Sequence, residues 1–211
     1  MKTDQWIQLL ARGAGPAPRG VVPARIGVAV AFGALASAAA CVATLGLNPT
    51  LATMGTGLAI KLAYVLGVLG ASAWWLDRAA RPAARWHRAA GAVALVAALM
   101  ALWAGLALST APEDARAALL LGQSWRSCPW RVAALSLPAW CLAVWALRGL
   151  APTRPRLTGF AAGLFSGSVG ALGYALFCPE LSPAFVWIWY SLGMLLPAAV
   201  GALLGPRLLR W

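Results

Sequence analysis

Acidic residues are scarce in this chain. Five Asp and Glu stand against 17 Lys and Arg among 211 residues, and charged residues make up only 10%. A soluble domain carries about 25%, so the composition argues against one. There is one histidine, His87, which rules out a haem held by paired histidines. No Ser-His-Asp set, phosphate loop or zinc spacing is present either, so no active site is readable. Cysteine is sparse too: four residues with no C-x-x-C pair. Electron relays to quinone need closely spaced pairs, which ranks a membrane thiol oxidoreductase low. Channels, pumps and proton-coupled carriers keep ionisable groups inside the membrane. No apolar run here holds an acidic residue or a histidine, so a small-solute carrier ranks low as well.

What is abundant is apolar, 62% of the chain, far above what disorder tolerates. About 20 apolar residues cross a hydrocarbon core as a helix. Six runs reach that length: 26–47, 57–76, 89–110, 127–147, 157–177 and 184–206. They do not alternate in polarity as the strands of an outer-membrane barrel do. The expected fold is an all-α integral membrane protein, a bundle of six transmembrane helices. Residues 1–25 form an N-terminal segment and 26–211 the transmembrane domain. The first run is too long for a signal-peptide h-region and reads as a retained helix. Two runs carry a cation, Lys61 and Arg131, each four residues from its segment's outer end. Both are expected to snorkel to the surface.

Charge placement gives the orientation. With the N-terminus cytoplasmic, 13 Lys and Arg fall inside and three outside, so both termini belong inside. The chain reads as a multi-pass protein of a bacterial inner membrane. Its net charge of +12 is then a topology signal plus attraction to anionic membrane lipid. Nucleic-acid binding is not expected, because no basic soluble domain exists. Trp74, Trp75, Trp86 and Trp211 fall at the inner boundary and Trp125 and Trp130 at the outer, with Trp187 and Trp189 just inside it. Such placing suits interfacial indoles. Gly159, Gly163 and Gly167 are spaced for close helix contact. Packing within the bundle is the plainer use and a homodimer face the sharper one. Pro138 and Pro197 lie mid-run and are expected to kink their helices.

Cys41 and Cys141 read as small buried apolar residues. Cys128 and Cys178 differ: each precedes a proline, and the topology puts both at the outer surface, one opening its helix and the other closing its own. Three readings stay open there. The thiols form a disulfide, bind a soft metal with Glu180 as an oxygen ligand, or are unrelated. No resident cofactor is expected, at most a transient soft metal ion at Cys128, Cys178 and Glu180.

At the N-terminus Thr3 can cap a short helix that Gly13 ends. Trp6, Ile7 and Leu10 share one apolar face of it. An isolated helix this short is marginal in water, so it needs a membrane or a protein partner to form against. Residues 13–18 read as a linker.

The opening Met1-Lys2-Thr3-Asp4, with Trp6-Ile7 and Leu9-Leu10, resembles that of NrsF-type anti-sigma factors, which are six-helix inner-membrane proteins. So do Ser136-Leu137-Pro138-Ala139, Leu150-Ala151-Pro152-Thr153-Arg154-Pro155 and Cys178-Pro179-Glu180-Leu181-Ser182-Pro183-Ala184-Phe185. The ending from Gly201 to Trp211 is similar as well. The resemblance implies a regulator, not an enzyme. Its partner would be an extracytoplasmic-function sigma factor, held away from core RNA polymerase and released on a heavy-metal or oxidant signal. Carried onto this chain, the sensing cysteines are Cys128 and Cys178. The sigma-binding surface is Thr3, Asp4, Trp6, Ile7, Leu9 and Leu10, with the arginine-rich turn 78–88. A histidine commonly precedes the second cysteine in the family pattern. Here it is Phe177, which leaves the thiol role in place.

Overall fold

The computed structural model describes residues 3–13, 21–81, 84–148, 150 and 152–209, and all regular structure among them is helical. In chain order the helices are α1 (Thr3–Gly13), α2 (Val21–Thr44), α3 (Gly55–Ala79), α4 (His87–Thr110), α5 (Glu113–Leu121), α6 (Cys128–Leu135), α7 (Leu137–Leu147), α8 (Pro155–Tyr174), α9 (Pro183–Phe185) and α10 (Ser191–Leu208). A π-helical turn, Val186–Tyr190, joins α9 to α10, so residues 183–208 run on as one helix. Most of the linker expected at 13–18 lies outside the described residues, as does Trp211.

Four helices are long and apolar enough to cross a membrane: α2, α3, α4 and the continuous Pro183–Leu208. They mark a membrane protein. The run expected as one helix over 127–147 is instead broken into α6 and α7, bent by 43°. Pro138 lies in the first turn of α7 and cannot donate a backbone hydrogen bond across the break. Pro197, by contrast, sits inside α10 without ending it. The loop expected between 110 and 127 contains a further helix, α5. It opens on Glu113 and Asp114, and acidic side chains suit the positive end of a helix dipole.

The centre of the molecule is α8. Fifteen of its 20 residues are buried, and α10, α3, α2, α6 and α7 all pack on it. Five glycines and two serines make this closeness possible. A Cβ on Gly163 would lie 2.6 Å from the Ala198 Cα, and one on Gly167 2.7 Å from the Met194 Cα. Gly159 meets the backbone of Gly201 and Gly205 in the same way. The spaced glycines are therefore taken up within the bundle, as a seam between α8 and α10. Ser166 and Ser168 donate to the carbonyls of Ala162 and Leu164 on their own helix, both at 2.8 Å, so burial leaves neither hydroxyl unpaired.

Trp75 does not present its ring to the surroundings of the bundle. It is buried, stacked on Trp86 with ring centres 6.0 Å apart and tilted against Phe160 at 5.5 Å. Cys41 is buried as expected, but Cys141 is exposed on the outside of α7. A thiol is apolar enough to face lipid as readily as a core.

Candidate functional site

Helix α8 runs between two differently built ends. Thr158, in its first turns, donates to the carbonyl of Ala79 at the end of α3 (3.2 Å). That end carries the arginines of the 78–88 turn. At the other end lie both Cys128 and Cys178.

Cys128 is the first residue of α6, its amide bonded to the Ser124 carbonyl (2.9 Å). Pro129, in the first turn, needs no donor there. α8 stops at Tyr174, four residues earlier than position 178, so Cys178 does not close the helix but follows it in a turn. Its amide donates to the Tyr174 carbonyl (3.0 Å). Both cysteines are fully buried free thiols. They share one electrostatic neighbourhood with Lys61, Glu180 and Arg131. The two thiols thus lie in one buried neighbourhood.

Lys61 departs from its expected place. It does not snorkel outward. Its side chain is fully buried, and Nζ donates to the Cys178 carbonyl at 2.8 Å. Nζ also lies 5.7 Å from the centre of the Tyr190 ring. Tyr174 and Tyr190 form the floor, 5.9 Å apart, and Phe177 stands 5.9 Å from Tyr174. Arg131 sits over Phe177 at 5.3 Å, a cation–π placing. The Tyr174 and Tyr190 hydroxyls are buried without a hydrogen bond of ordinary geometry. Each still has a neighbour to turn to, Arg131 for Tyr174 and the Cys178 thiol for Tyr190.

Glu180 is held elsewhere. Its Oε1 accepts the Gln123 amide at 2.7 Å. Gly122 makes room for it: the residue has φ +53°, and a Cβ there would lie 2.5 Å from Glu180 Oε2. Among the described residues no three His, Cys, Asp or Glu side chains are grouped as a metal site, so Cys128, Cys178 and Glu180 are neighbours without forming a ligand set. Ser182 and Trp189 complete the tie, donating to the Leu119 and Leu120 carbonyls at 2.7 and 2.8 Å. These are carbonyls that the end of α5 leaves unpaired.

The other expected residues lie on α1. Asp4 lies in its first turn and Arg12 in its last, both favourable to the helix dipole. Thr3, Asp4, Trp6, Ile7, Leu9 and Leu10 are all exposed, Leu10 at 70%. An apolar face this open has no covering surface among the described residues.

The family model described as "Negative regulator of sigma F" matches residues 10–211. The chain is 38% identical to the probable anti-sigma-F factor NrsF of Azospira oryzae, over the whole of both chains. It is 40% identical to the anti-sigma-F factor NrsF of Caulobacter vibrioides, again over the whole of both. No solved structure matches.

Proposed function

Because the chain belongs to the NrsF family of negative regulators of sigma F, we propose that it is an anti-sigma factor working from the bacterial inner membrane. The bent pair α6–α7 and the enclosed α8 complete six crossings, with both termini cytoplasmic. The partner is an extracytoplasmic-function sigma factor, docked on α1. The exposed apolar face of α1, with Trp6, Ile7, Leu9 and Leu10, carries this reading. A helix of 11 residues gains stability chiefly by laying such a face against a partner.

The cysteine end is the sensor. An oxidant that takes two electrons from Cys128 and Cys178 leaves a disulfide and releases two protons. A soft metal instead bridges the two thiolates and displaces the same protons. Either event pulls α6 and the turn after α8 together at one end. It changes sigma affinity at the other only if the bundle has two arrangements that differ at both ends. Lys61 supports such a coupling, because it fixes the Cys178 carbonyl to α3, and α3 runs on to the arginine turn.

The wild-type protein is expected to co-purify with a sigma factor and to lose it when residues 1–12 are deleted. Absence of any bound sigma factor sinks the proposal. Cys128→Ser and Cys178→Ser are expected to leave sequestration intact and to abolish the transcriptional response to metal or oxidant. An unchanged response removes the sensing role alone.

A further inference from the structure

The end of the bundle opposite the cysteines holds a cavity of about 230 Å³ lined by Arg78, Arg81, Arg85, Arg154, His87 and Thr153. Among the described residues its one ion pair is Arg81 with Asp77, at 2.8 Å. Among the described residues Arg78, Arg85 and Arg154 have no acidic partner. The helices α4 and α8 both begin at this cavity, on His87 and Pro155, and neither has a side-chain cap on its first amides. Their positive ends add to the guanidinium charge. Everything here favours an anion, and arginine forks match phosphate oxygens two at a time.

The cavity has an apolar neighbour along the same helices. An apolar groove of about 660 Å³ runs between α3, α4, α8 and α10, lined by Tyr64, Val68, Trp75, Val93, Phe160 and Leu164 among others. On each of three helices the lining changes from cavity to groove within one turn: Ala79 to Trp75, Trp86 to Ala90, Leu157 to Phe160. The stacked Trp75 and Trp86 rings form the shelf between them. From Trp75 to Tyr64 the groove is about 16 Å long at ~1.5 Å per residue. That is about half of a ~30 Å hydrocarbon core, the depth of one leaflet.

We propose that cavity and groove together bind one anionic phospholipid, its phosphate among Arg78, Arg85 and Arg154 and one acyl chain along the groove. Basic pockets between membrane helices suit such headgroups. An acidic protein surface would fit the arginines but would leave the groove empty. The proposal rests on the membrane reading of α3, α4 and α10.

The test uses the full chain. In flotation with phosphatidylcholine vesicles the protein is expected to rise with the lipid. Failure to float overturns the membrane reading and this proposal with it. In detergent, native mass spectrometry compares phosphatidylglycerol, phosphatidylcholine and inorganic phosphate. Phosphatidylglycerol is expected to bind at least about tenfold more tightly than either other probe. Equal binding of phosphatidylcholine, or of phosphate alone, overturns the assignment. The triple variant R78A/R85A/R154A is expected to lose about tenfold for phosphatidylglycerol and nothing for phosphatidylcholine. Ala94→Trp, which fills the groove and leaves the charges alone, is expected to lower phosphatidylglycerol binding too, and decides the matter if the triple variant does not fold. Unchanged binding in Ala94→Trp, or a triple variant that keeps the lipid and loses the sigma factor, overturns the proposal.

Discussion

Helices α4 and α8 are similar in length and opposite in placing. Three of the 24 residues of α4 are buried, and its outward face is Leu95, Leu99, Leu102, Trp103 and Leu106. In α8, 15 of 20 are buried, and glycine, alanine and serine predominate. In water the buried helix would be the more apolar one. Within lipid, hydropathy instead marks the helix that faces the acyl chains, and the enclosed helix is chosen for small volume. The core of this protein is therefore built on a helix of small residues, and the greasiest faces point outward.

Substitutions at enclosed and at open positions separate these roles. Gly163→Leu is expected to cost the most, about 3 kcal/mol, because even a Cβ there would overlap the α10 backbone. Thermal unfolding in detergent should show the loss, and retention of wild-type stability would mean that the seam is not closed. Lys61→Met is expected to cost about 2 kcal/mol by leaving the buried Cys178 carbonyl without a donor. Maleimide labelling of Cys178 should then speed up, while labelling of the exposed Cys141 stays constant. Gly122→Ala is expected to cost about 1 kcal/mol, since alanine is strained at φ +53° and pushes the Glu180 carboxylate from the Gln123 amide. The smallest effect is expected for Gly105→Leu on α4, where a Cβ meets nothing within 4 Å. Its gain in helix propensity is under about 1 kcal/mol. A large loss there would show that α4 has a protein neighbour and does not face lipid.

Long apolar runs and cysteine placement were legible because each is local or follows from the order of charges along the chain. α2, α3 and α4 fall within a few residues of the expected runs, and Cys128 and Cys178 lie at the same end of α8. Lys61 was not legible. A lysine four residues inside a run looks the same whether it reaches for water or for a carbonyl, and its acceptor lies 117 positions away. Pro138 signalled a kink, but not the close approach of α8 at the break, where a Cβ on Gly170 would lie 2.7 Å from the Ser136 amide. Trp75 was placed by its distance along the run. Its burial depends on Trp86 and Phe160, which only the fold brings to it.

The position of α8 in the chain has a consequence for biogenesis. Of the five helices that wall it in, α2, α3, α6 and α7 are synthesised first, and α10 alone comes after. The central helix thus emerges into a slot whose other walls already exist, which suits a segment with so little apolar surface of its own. The glycine seam stays open until the ribosome has delivered α10. A nascent chain stalled before residue 183 would show its least lipid-compatible face to the membrane, and the helix Pro183–Leu208 closes the structure.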